Sequence, residues 1–205
     1  MDALISKKMP SRTSGFSLLE ILVAAAVMIL LIGLALPAFN SIRGGTTLSN
    51  AGNTLLDTFA LARLRAAGRN EDISIRFYSA KEGSWTAIQT VIPAADPADA
   101  RSLDPIRDLP AGFVVSDASS ISPLLANLNQ NSVSVPGRGN LRCKEIRFKP
   151  DGSLDGAVTT TNNFITLLTE RDLHKVPAAP SGGLDANFYV LQINPITGGI
   201  SYYRP

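Results

Sequence analysis

The chain has 205 residues, 45% of them hydrophobic and 18% charged, with a formal net charge of +2. Its single cysteine, Cys143, excludes an intrachain disulfide and a cysteine-built metal cluster. Its single histidine, His174, excludes triads and zinc sites that need more than one.

The first segment, 1–15, carries Lys7, Lys8 and Arg12 against Asp2. Without it, the 19 basic and 17 acidic residues fall to 16 of each, so the remainder is formally neutral and gives no support for nucleic-acid binding. Residues 16–36 then read FSLLEILVAAAVMILLIGLAL, which as a helix spans about 31 Å, close to the hydrocarbon core of a bilayer. The positive residues before this run favour a cytoplasmic start, with the following domain outside. No small-residue A-x-A site follows the run, which argues against a conventional secretory peptide.

One charge, Glu20, interrupts the apolar run. A carboxylate at the bilayer centre costs about 2.5–3.5 kcal/mol, and less toward an interface. A cut after Gly15 would give Phe16 a new α-amino group one helical turn from Glu20. In a stack of such helices, each Glu20 could pair with the amine of a neighbour, neutralising two charges and setting the axial register. An acid in the first turn also suits the helix dipole. The alternative is an ordinary signal-anchor holding an extracytoplasmic binding or enzymatic domain. Pro37, which lacks an amide hydrogen, marks either a helix kink that acts as a hinge or simply the membrane boundary.

The string Gly15-Phe16-Ser17-Leu18-Leu19-Glu20 resembles the prepilin peptidase motif of type IV pilins and type II secretion pseudopilins. The resemblance implies cleavage between Gly15 and Phe16, N-methylation of Phe16, and assembly guided by Glu20. Pro37 becomes residue 22 of the cut chain, which also matches the pilin pattern. The implied partners are a prepilin peptidase, other pilins or pseudopilins, the inner-membrane assembly platform and membrane lipid.

Beyond Gly44-Gly45, residues 46–70 read as an amphipathic helix. Leu48, Leu55, Phe59 and Ala62 form a core-facing stripe, with Leu56 and Ala66 flanking it. Arg63, Arg65 and Arg69 fall largely off the stripe, as a solvated face, and Gly68 or Asn70 provides a stop. Strands follow. Residues 72–78 alternate with Ile73, Ile75 and Phe77 on one face. Further strands are expected over 84–92, 112–116, 145–149, 164–168, 188–193 and 200–203, with a short helix near 122–129 and a hairpin at 194–199. A long helix followed by strands argues for an α+β fold with an antiparallel sheet. The expected organisation is therefore a leader over 1–15, a membrane helix over 16–36, its amphipathic continuation over 37–70, and a β-rich head over 71–205.

This layout resembles the GspH/FimT group of minor pseudopilins and minor pilins over essentially the whole chain. The matching runs are LARLRAAGRNEDISIRF (61–77), GSW (83–85), IRFKPDGSLDG (146–156) and YVLQINPITGGISYY (189–203). The head also resembles the Verru_Chthon cassette protein D group. The resemblance implies a pilin-like fold and a non-enzymatic subunit of a type II secretion pseudopilus or a type IV pilus, with no cofactor. Some FimT-like proteins bind DNA through an arginine-bearing segment. The matching segment here, 198–204, lacks the basic residue expected after its first glycine, so no nucleic-acid partner is expected.

Asp96, Asp99, Asp104 and Asp108 cluster in a Pro-rich loop and offer oxygens of the kind calcium takes. Their spacing is not that of an EF-hand, and Arg101 and Arg107 lie among them, so the default is a solvated loop. Arg138, Arg142, Lys144, Arg147 and Lys149 likewise read as a solvated strand face. No phosphate-binding GxxxxGK[ST] loop and no GxSxG elbow is present.

Overall fold

Ser17 opens the first helix by placing its hydroxyl where the Glu20 amide can donate to it, at 3.2 Å. Helix α1 (Leu18–Arg69) then runs for 52 residues. The computed structural model describes residues 17–79, 81, 83–155, 162–175 and 187–204, and for 33–46 the backbone alone. The chain divides into two compact units, Met1–Arg43 and Gly44–Pro205, and α1 contributes to both. Asn70 ends the helix at φ 54, a left-handed conformation that asparagine tolerates.

In the head unit the predicted stripe on α1 is the buried one. Leu48, Ala51, Leu55, Phe59, Ala62 and Ala66 all join the main core. Among the described residues eleven strands follow, β1 (Ile73–Ser79), β2 (Ser84–Trp85), β3 (Ala87–Ile92), β4 (Arg101–Ser102), β5 (Arg107–Asp108), β6 (Phe113–Ser116), β7 (Asn131–Val135), β8 (Gly139–Phe148), β9 (Phe164–Thr169), β10 (Phe188–Ile193) and β11 (Ile200–Tyr203), with a short helix α2 (Pro123–Ala126) between β6 and β7. The fold is α+β, with a long N-terminal helix packed on antiparallel sheet, as the sequence predicts.

The antiparallel head holds two sheets. One runs β4-β3-β1-β8-β7, with β5 also on β3; the other runs β11-β10-β9-β6-β2. Residues 84–92, expected as one strand, break at Thr86. Trp85 pairs with Val115 in the second sheet, while Ala87 pairs with Tyr78 in the first. The core lies where helix and sheets meet. Phe59 of α1 contacts Phe77 at 6.2 Å and meets Phe148 edge-on at 6.1 Å. Trp85, Leu167 and Tyr189 bring the second sheet into the same cluster.

Strand β1 departs from simple alternation, because all seven of its residues are buried. Ile73, Ile75 and Phe77 face the core as expected. The opposite face, with Arg76 and Tyr78, is covered by the acidic segment. That segment is not a free loop. A 3-10 turn at Pro97–Asp99 is capped by Asp96, whose carboxylate accepts the Ala98 amide at 2.8 Å. The chain then returns as β4 and β5 along the edge of β3. A second, smaller core forms around Tyr78, Ala87, Val133 and Cys143, with Ile106, Val135 and Leu141 packed against it.

Candidate functional site

Of the motif residues, Ser17 to Glu20 fall at the start of α1. Gly15 and Phe16 lie outside the described residues. Pro37 lies within the α1 backbone, and its side chain is outside them too. Glu20 sits in the first helical turn, as the dipole argument requires. Its amide is doubly engaged, donating to the Ser17 carbonyl at 3.0 Å and to the Ser17 hydroxyl.

Around Glu20 the helix is apolar on every side. Leu18, Leu19, Ile21, Leu22, Val23, Val27, Met28, Ile29, Leu30, Leu31 and Ile32 are each more than half exposed, from 51% to 81%. A helix that is hydrophobic all round demands an apolar environment, either other helices or lipid. Beside Glu20, the small residues Ala24 and Ala25 form a shallow groove with Ile21 and Met28. Residues 20, 24 and 28 share one helix face, so a neighbouring helix could approach closely next to the carboxylate. No helix among the described residues is long and apolar enough to cross a membrane. The side chains described in this run stop at Ile32, and the expected span over 16–36 continues beyond them.

The head's charged clusters are built for cohesion. Arg65 of α1 grips Asp104 with both guanidinium nitrogens, one at 3.1 Å. That hydrogen bonding holds the Asp104 carboxyl below its ordinary range, against the effect of its partial burial. Asp108 is held low in the same way by Arg138, at 2.5 and 2.9 Å. Arg76, 3% exposed, donates to Glu145 at 2.7 Å and to the Pro97 carbonyl at 2.7 Å. Burial pulls its guanidinium down, but hydrogen bonding to Tyr78 and the charge of Glu145 outweigh this and leave it raised.

Asp96, Asp104 and Asp108 of the acidic segment therefore engage different partners rather than gathering. Among the described residues, no group of three or more His, Cys, Asp or Glu side chains could hold a metal ion. Cys143 is buried and free, and burial pushes its thiol up.

The solvated reading of the 138–149 basic stretch needs correction at Lys144, which is 6% exposed. Its ammonium donates to the Leu125 carbonyl at 3.0 Å, meets Asp117 at 3.3 Å and lies 5.5 Å from the centre of the Trp85 ring. Arg147 and Lys149 instead converge on Asp155, at 3.4 and 3.3 Å.

No family model and no curated protein matches the chain. Among solved structures, two crystal forms of the type IV minor pilin FimU from Pseudomonas aeruginosa strain PAO1 are similar. One is 17% identical with a TM-score of 0.44, covering 77% of this chain and 97% of the other. The second is 18% identical with a TM-score of 0.45, covering 77% and 92%. A likeness at that distance carries no argument about what this chain does.

Ser17 is the one residue at this site that reading the apolar run and the motif passes over. Its signal was present, since Ser17-Leu18-Leu19-Glu20 has the S-x-x-E spacing of a capping box at the head of an apolar run.

Proposed function

We propose that the chain is a minor pilin- or pseudopilin-type subunit. A prepilin peptidase cuts it between Gly15 and Phe16 and methylates the new amine of Phe16. The helix over 16–36 anchors it in the cytoplasmic membrane with the head outside, until the inner-membrane platform passes it into a type IV pilus or secretion pseudopilus. The chain performs no catalysis in this reading, and its partners are the peptidase, other subunits and lipid.

One observation carries the proposal. The helix from Leu18 to Ile32 exposes apolar side chains in every direction, with a single carboxylate, Glu20, in its first turn. Such a surface is stable only in lipid or among like helices, and the buried carboxylate then needs a cation. The free amine on Phe16 of a neighbouring subunit would supply that cation. Pro37 lies within α1, where its missing amide hydrogen leaves one helical hydrogen bond unmade, as a kink or a mark of the membrane boundary requires.

The intact mass of the chain purified from cells with an active prepilin peptidase tests this reading. The expected species begins at Phe16 and carries one added methyl group. A chain that still begins at Met1 in such cells would overturn it.

A further inference from the structure

Strand β11 is the edge of the second sheet, and its four residues bury little of themselves. Its position is fixed instead by contacts that reach helix α1. Tyr202 stacks on the buried Tyr189, with ring centres 5.5 Å apart and planes 9° from parallel. The Tyr189 ring also packs against Gly52, so close that any Cβ there would overlap the ring. The Tyr189 hydroxyl donates to Asn53 Oδ1 at 3.3 Å. Beyond the strand, Arg204 donates from its guanidinium to the Ser49 hydroxyl. Ser49, Gly52 and Asn53 stand at i, i+3 and i+4, so all three contacts fall on one helix face.

We propose that β11 and Arg204 form a clasp on the first turns of α1 within the head unit, residues 47–53. The clasp opens without unfolding the rest of the head. Its outer members are exposed, with Tyr202 at 61%, whereas the main aromatic contacts of the core, from Phe59 to Phe77 and Phe148, lie further along the helix. Opening would therefore remove the cover from Tyr189 and the Arg204 tether while leaving the central packing in place. The clasp sits just past Gly44, where the head unit begins, and adds to the hold that the buried Leu48 and Ala51 give this stretch of α1. It does not depend on the filament reading, since every contact is within the head.

Amide hydrogen exchange on the full chain in detergent micelles tests the clasp. In Tyr202→Ala, exchange over 48–53 is expected to accelerate by about tenfold, while 57–66 of α1 and strand β1 keep their protection. Arg204→Ala, which alters only an exposed side chain, should give a smaller acceleration of about threefold over the same residues. Tyr202→Phe keeps the stacked ring and should match the parent chain. Unchanged exchange over 48–53 in both alanine variants would overturn the clasp. So would a uniform loss of protection across the head, which would make β11 part of the global core.

Discussion

Ser17 and Glu20 act on the same helical turn in different ways. The serine hydroxyl gives the Glu20 amide a second acceptor beside the Ser17 carbonyl, and the glutamate places negative charge near the positive end of the helix dipole. Ser17→Ala is expected to cost the helix start about 0.5–2 kcal/mol, and Ser17→Asn far less. Amide exchange at Glu20 and Ile21 in micelles would register the difference. In the head, the Arg65–Asp104 pair makes a prediction about pH. The carboxyl is depressed in the folded state, so its contribution is present above its unfolded pKa of about 3.9 and is lost as pH falls through the lower folded value. Asp104→Asn should therefore be less stable than the parent chain near neutrality. The gap should narrow below about pH 4, as read from urea midpoints at each pH.

Among the elements, what could be read from sequence and what could not divides along local and tertiary lines. The stripe Leu48, Leu55, Phe59 and Ala62 repeats at helical spacing and is buried where the pattern puts it. The hairpin at 194–199 is similarly local. Asn194 Oδ1 accepts the amides of Ile196 and Thr197, and Gly198 takes φ 63. A Cβ at Gly198 would strike the Gly152 carbonyl and the Arg63 side chain. Gly198→Ala should thus cost more than the ~1–2 kcal/mol of left-handed strain alone, measurable by chemical denaturation. By contrast, the switch between sheets at Thr86 and the burial of Lys144 depend on residues far away in the chain. Composition marks a lysine in a basic run as exposed, and only the placement of Asp117, Leu125 and Trp85 around it reverses that. Lys144→Met would leave the Leu125 carbonyl without this donor and Asp117 without this partner. A loss of about 1–3 kcal/mol in the same assay is expected. Within the acidic segment Asp96, Asp99 and Asp108 are exposed, as a solvated loop requires, while Asp104 is drawn partly in by Arg65 of α1.

For the whole molecule, the proposed filament role would give Glu20 opposite effects on two steps, and that opposition makes the role testable. In a lipid-inserted monomer the carboxylate would be a burden, by about 2.5–3.5 kcal/mol at the bilayer centre and less toward the interface. In the proposed filament it would become an attraction, once the Phe16 amine of a neighbouring subunit came within reach. Glu20→Ala removes both effects together. Insertion should therefore be undiminished, as measured by the membrane-bound fraction, while incorporation into sheared filaments falls by at least about tenfold, equivalent to ~1.4 kcal/mol per subunit. Glu20→Gln keeps the size and hydrogen-bonding capacity but not the charge, and should fail in the same way, which separates ion pairing from shape. Glu20→Asp keeps the charge on a shorter arm and should retain part of the incorporation. A plain signal-anchor makes the contrary prediction. Its only requirement at position 20 is compatibility with lipid, so all three variants would insert and leave the activity of the head unchanged. The shallow groove formed by Ala24 and Ala25 offers an independent check. Ala24→Leu leaves the charge at Glu20 intact and adds apolar surface that lipid welcomes, yet it fills the face where a neighbouring helix would lie. A subunit built for a filament should lose incorporation on that change, while an anchor should not respond to it.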